Sequence, residues 1–216
     1  MSRAWLPSRI LASIALTTVC VLAAASSAYA QDPNHQAQAI TVVGNDADLR
    51  RCGSLFGAGS TTDEVIGACT RALRYPRLTH DNAVQVNMAI GVVHLRRREG
   101  DGAVAAFDAV LALEPRNPEA HLNKGAALVI NHQPGPAVAE ITQALSLGVR
   151  EPEKAYYNRG AAREALGDLR GAYEDYSTAL QIRPQWGPAD QELARFVRGR
   201  REHLATVLGE QQHANP

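Results

Sequence analysis

Cysteine is scarce, with three residues in a chain of 216. So few exclude a scaffold held together by many disulfides. Aromatic residues make up 5% of the chain, too thin a supply for a base-stacking platform. Neither sign of charge is in excess, since Lys+Arg and Asp+Glu number 22 each. That balance provides no bulk attraction to nucleic acid or to an anionic membrane. Beyond Ala25 no apolar run reaches the length that spans a bilayer. What remains is ordinary globular composition, 45% apolar and 20% charged. The length suits one domain, or at most two, with a core of its own.

The first thirty residues read as an address. Arg3 and Arg9 are positive, Ile10 to Ala25 is a short apolar run, and Ala28-Tyr29-Ala30 offers small residues at a cleavage point. This is the grammar of a secretory signal peptide over residues 1–30, cut after Ala30. An uncleaved anchor is the alternative, but the run is short for one. Lipidation at Cys20 is another, but Thr17 and Val19 fit its cleavage box poorly. Export implies a periplasmic or secreted chain, not embedded in a membrane once the leader is gone. The leader resembles bacterial ones, which points to a Gram-negative periplasm. Cleavage takes two of the 22 basic residues and no acid, leaving 20 against 22. It also leaves Cys52 and Cys69 as the remaining cysteines. Two cysteines in an oxidising compartment favour a disulfide.

Past a flexible segment at 31–45 and a first hairpin, the chain repeats itself. Gly91, Gly125 and Gly160 are spaced by 34 and 35. Ala103, Ala137 and Ala172 keep those spacings, as do Phe107, Ile141 and Tyr176, and Leu111, Leu145 and Leu180. Pro115 and Pro184 close the first and third copies, with Val149 in that place in the second. In the third copy, Glu153 to Leu166 and Leu169 to Ile182 carry helical patterns around a Gly167-Asp168 turn. Glycine inside a helix costs about 1 kcal/mol against alanine. A glycine repeated there predicts a helix crossing too tight for a side chain, with Ala172 as the small surface facing Gly160. Pro134 and Pro136 crowd the turn of the second copy, so its second helix is expected to start near Pro136.

A helix–turn–helix unit of this period, with Gly, Ala, a large apolar residue four positions on and then Pro, resembles the tetratricopeptide repeat. The stretches at 155–184, 120–149 and 86–115 carry the resemblance. They depart from it at Asn87, His121 and Tyr156 in the first aromatic column, and at His94, Leu128 and Arg163 in the second. The resemblance implies an all-α, right-handed superhelical array of antiparallel helix pairs, with repeats at 84–117, 118–152 and 153–186. Stepping the register back places Val65, Cys69 and Ala72-Leu73 in repeat columns, which makes 46–77 a degenerate helical hairpin. Cys52 and Cys69 then lie on its two arms. A zinc site of Cys52, Cys69 and His80 matches no structural zinc spacing. Residues 188–208 read as a C-terminal capping helix with Leu193, Phe196, Val197, Leu204 and Val207 on one stripe and arginines around it. Residues 209–216 read as a flexible tail.

Chemistry is hard to find. None of the seven histidines pairs at a metal-ligand spacing, and His-Glu-x-x-His is absent. Gly57-Ala58-Gly59-Ser60 is a turn between helices rather than a phosphate cradle. The expectation is no enzyme, no cofactor, no metal and no nucleic-acid partner. The resemblance instead implies a concave groove lined by the first helix of each repeat, where a peptide or protein partner binds. Carried over position by position, the lining is Met88, Val92 and Arg96; Leu122, Asn123 and Ala126; and Lys154, Tyr157, Asn158 and Ala161. In the branch of the family that clamps a chaperone's C-terminal carboxylate, a Lys precedes the Asn. Here Met88, Leu122 and Tyr157 hold those places, which argues against a clamp. The expected function is thus an exported protein-interaction module or scaffold. The alternatives are an accessory secreted protein without a groove ligand and, behind it, an enzyme.

The leader is directly testable. N-terminal sequencing of exported protein should begin at Gln31; a mature chain that retains Arg3 or starts at a lipidated Cys20 contradicts the reading.

Overall fold

The computed structural model describes residues 46–213, with side chains as far as Glu202. The expected leader, the segment 31–45 and the last three residues lie outside the described residues. Among those described there are nine helices and no strand. They are α1 (Ala47–Gly57), α2 (Asp63–Ala72), α3 (His80–Arg96), α4 (Gly100–Leu113), α5 (Pro118–Ile130), α6 (Pro134–Leu147), α7 (Pro152–Ala165), α8 (Leu169–Ile182) and α9 (Gly187–His213). Consecutive helices pack on one another through short turns, and the first helices α3, α5 and α7 also touch in sequence.

Local chemistry sets the starts. The carboxylates of Asp46 and Asp168, the Thr79 hydroxyl and the Asn117 amide oxygen accept backbone N–H groups three residues on, at 2.9–3.2 Å. Pro118, Pro134 and Pro152 occupy first turns, where a missing N–H is harmless. Accordingly α6 starts at Pro134, earlier than Pro136, because both prolines fit in one first turn and Ala137 N then bonds Gln133 O at 3.1 Å. The turns between paired helices repeat as well. Arg98, His132 and Gly167 stand 34 and 35 apart, all with φ between 56° and 81°. Only the third is glycine, which adopts that left-handed conformation freely.

The repeated glycines mark the closest approach within each pair. A Cβ on Gly91 would lie 2.5 Å from the Phe107 ring, and one on Gly160 would lie 2.9 Å from the Tyr176 ring and 3.3 Å from the Ala172 carbonyl oxygen. Gly125 meets Ile141 in the same way. Contrary to the expectation from the sequence, Ala172 faces Gly160 through its backbone and not as a small side-chain surface. The large side chain four residues later fills that space, and Ala172 contributes backbone. Phe107, Ile141 and Tyr176 are fully buried.

The first pair is joined by a disulfide between Cys52 and Cys69, both fully buried. Leu49, Phe56, Val65 and Ala68 surround it, and Val86, Ile90 and Val93 of α3 complete that core. At the other end α9 runs past Leu208 to His213. Gly209 stands alone there, and Glu210, Gln211 and Gln212 are good helix formers, so nothing stops the helix.

Gly160→Leu should cost about 1–3 kcal/mol through overpacking against Tyr176, read as a lower urea midpoint. Gly199→Ala, exposed within α9 and with open space around its Cβ, should be neutral or stabilising by up to about 1 kcal/mol. Equal midpoints for Gly160→Leu and wild type contradict the close crossing. For the disulfide, intact mass should rise by about 2 Da only after unfolding in reductant, one hydrogen per sulfur of a single bond. Cys69→Ala should destabilise by about 2–4 kcal/mol, and two thiols alkylated without reductant contradict the bond.

Candidate functional site

The face shared by α3, α5 and α7 is the place to look, because the repeat register brings one strip of each first helix alongside the next. Along α3, Met88 and Val92 are half-buried and pack with Ala126 and Ile130 of α5. Arg96 is half-exposed at the end of α3, with its guanidinium 5.4 Å from the centre of the Phe56 ring of α1. That stacking holds a cation at the joint between the first pair and the repeats. On α5, Asn123 is half-buried, while Ala126 is buried. Leu122 is buried among Ile141, Ala144, Val149 and Ala155, so it serves the joint between α5, α6 and α7.

The third repeat is different. Lys154, Tyr157, Asn158 and Ala161 are all buried, Tyr157 to 2% exposure and Asn158 to 6%. The Lys154 ammonium lies 2.8 Å from Glu151. The Tyr157 ring packs 5.8 Å from Tyr176 and 5.4 Å, edge-on, from Trp186, measured between centres. Its hydroxyl, the Asn158 side-chain nitrogen and the Trp186 ring nitrogen are buried without a protein hydrogen-bond partner. Burial pushes the Tyr157 pKa well above its ordinary value, with the nearby Glu192 carboxylate adding to the rise. The strip is therefore half-open at Met88, Val92, Arg96 and Asn123, and buried at Leu122, Ala126 and the α7 residues.

Two polar clasps hold the repeats in register on either side. Lys124 pairs with Asp108 of α4 and Glu140 of α6, each at 2.8 Å, and His121 lies 2.6 Å from the same Glu140. Burial pushes the Glu140 pKa up, but hydrogen bonds to Lys124 and His121 outweigh it and leave the carboxyl below its ordinary range. One repeat on, Arg159 grips the buried Asp175 with two bonds of 2.8 and 2.9 Å, and Arg163 adds a third at 2.9 Å. Hydrogen bonding to Asp175 raises the Arg159 pKa. These clasps were missed in the sequence, yet the signal is there. Lys124 and Arg159 are 35 apart, as are Glu140 and Asp175, so an ion pair repeats with the register. Arg195, one of the arginines around the stripe of α9, pairs with Glu164 of α7 at 2.9 Å and with Glu192 at 2.6 Å. Val197, expected on the buried stripe, is exposed. Among the described residues no three His, Cys, Asp or Glu side chains are grouped to hold a metal.

Residues 153–185 match the family described as Tetratricopeptide repeat. Serine/threonine-protein phosphatase 5 of Rattus norvegicus is 28% identical over 108 residues, 49% of this chain and 21% of that protein. The chain thus matches about a fifth of that relative's length, and the match is one of repeat region rather than of catalytic machinery. The structure described as the first TPR of Spaghetti (RPAP3) bound to HSP90 peptide SRMEEVD is 27% identical, covers 54% of this chain and 92% of that one, and superimposes with a TM-score of 0.50. MamA, at 18% identity and a TM-score of 0.59, covers 81% of this chain and 100% of its own, and shows the fold alone. With the same glycine crossings, turns and helix pairs recurring on the N-terminal side of the matched segment, the described residues form an all-α array of tetratricopeptide-type helix pairs.

Proposed function

We propose that the chain is an exported interaction module whose α3–α5–α7 face is a concave groove that binds an extended peptide segment of a partner protein. The observation that carries this is the half-open strip of Met88, Val92 and Asn123, one amide among apolar side chains on consecutive first helices. An amide pairs with a peptide backbone through both donor and acceptor, and the apolar neighbours hold side chains. The similar RPAP3 domain is, by its description, bound to an HSP90 peptide. Apolar Met88 and Leu122 where a clamp has lysine favour apolar ligand side chains over a terminal carboxylate. In this reading the repeats are 84–117, 118–152 and 153–186, behind a degenerate pair at 46–77. The Cys52–Cys69 bond supports an oxidising compartment, in keeping with a leader cut after Ala30. No helix among the described residues is long and apolar enough to cross a membrane.

Affinity capture from envelope extract followed by titration of the captured partner tests the groove. Losing one peptide hydrogen bond costs about 0.5–1.5 kcal/mol, so Asn123→Ala should weaken binding by a few-fold to about tenfold. Arg198→Ala and Arg201→Ala, on the exposed side of α9, should change it little. The opposite pattern places the partner on α9 and overturns the groove.

A further inference from the structure

The third repeat's face is not simply a poorer stretch of groove. In the repeat register α9 stands where the first helix of a further repeat would stand, and Arg195 follows Gly91, Gly125 and Gly160 in the glycine column, 35 residues after the last. A glycine there would receive a large side chain from a following helix. Arg195 instead reaches back to Glu164 of α7 and along its own helix to Glu192. The described part of α9 is thus held from one side. Its buried residues, Ala189, Glu192 and Phe196, end at Phe196, and 197–202 are all exposed.

Tyr157 and Trp186 share a core cluster with Ala189 and Phe196 of α9, and their polar atoms, like the side-chain nitrogen of Asn158 on α7, are unpartnered. A buried donor without an acceptor is destabilising, so the covered arrangement is less stable than its apolar contact alone implies. All three groups can donate a hydrogen bond. The acceptors they lack are what the carbonyls of an extended peptide offer. The link into α9 is short, and Gln185 within it has φ 61°, a left-handed conformation where a chain changes direction.

We propose that Trp186 and the first turns of α9 form a displaceable cover over the third repeat, which hides Tyr157 until it swings away and admits a partner peptide. The second half of this statement rests on the peptide-binding reading above. A peptide that pairs with the uncovered donors binds the open state alone and so shifts the equilibrium toward it. Elements held by few contacts open locally without global unfolding, as such a cover must.

Amide hydrogen exchange by mass spectrometry on the full chain tests the cover without a ligand. Residues 187–196 should exchange at least about tenfold faster than α7 and α8, and Arg195→Ala should speed them further while leaving α7 and α8 unchanged. Tyr157→Phe removes an unpaired hydroxyl and keeps the ring, so it should slow the opening several-fold. Exchange of α9 at the rate of α8, or loss of protection in both together in Arg195→Ala, overturns the cover. A second arm uses peptides selected from a phage-displayed random library on Arg195→Ala. They should bind that variant several-fold more tightly than wild type, and Tyr157→Phe in the same background should lower the affinity. Equal or weaker binding to Arg195→Ala overturns competition between cover and peptide. If no peptide binds either form, the peptide-binding reading falls, while the exchange rates of α9 decide the cover on their own.

Discussion

In each repeat the two helices meet where a glycine on the first lets a large side chain of the second rest against its backbone. Phe107 on Gly91, Ile141 on Gly125 and Tyr176 on Gly160 are three versions of one contact. Burying such a side chain contributes about 1.5–3 kcal/mol, and the distance it fixes between the helices determines what else can be near. It brings Ala103, Ala137 and Ala172 into full burial. It also sets the angle at which the next pair must stack. Where the column holds Arg195, the side chain pairs with Glu164 and Glu192.

The ion pairs act on top of that contact. Lys124 with Glu140 and Arg159 with Asp175 stand in columns that the first repeat fills with Ile90 and Ala106. An apolar pair serves there too, so the charges are not needed for the fold as such. A paired buried charge tolerates no slip, because either partner alone would be left uncompensated. Asp175, almost fully buried and gripped by two arginines, fixes α7 on α8 in one register.

Much of this was legible in the sequence, for a physical reason. A close crossing needs glycine, a filled crossing needs a large apolar residue, and both recur at a fixed period, so architecture shows as columns. The two cysteines were legible as a pair for a similar reason, since the same columns put them on facing arms of one hairpin. The start of α6 was misread because two nearby prolines permit more than one first turn. The state of the face was not legible at all. Met88, Leu122 and Tyr157 share a column, yet the first is half-open, the second packs into a joint and the third is sealed. A column fixes the side of the helix, whereas burial depends on what comes next. For Tyr157 that is Trp186, which precedes α9 in the column of Asn117 and Glu151, where the earlier copies carry a polar residue.

The two ends of the array are built on opposite terms. Its first pair is tied covalently through Cys52 and Cys69 inside a closed core, while the described part of its last helix leans on one side against α7 and α8. A linear stack transmits disruption only from neighbour to neighbour, so such a molecule has a preferred direction of unravelling. Pulled from both termini, or fed to a protease that threads its substrate, it yields from the C-terminal side. The bonded pair survives longest, as a knot left at the end of a loosened rope.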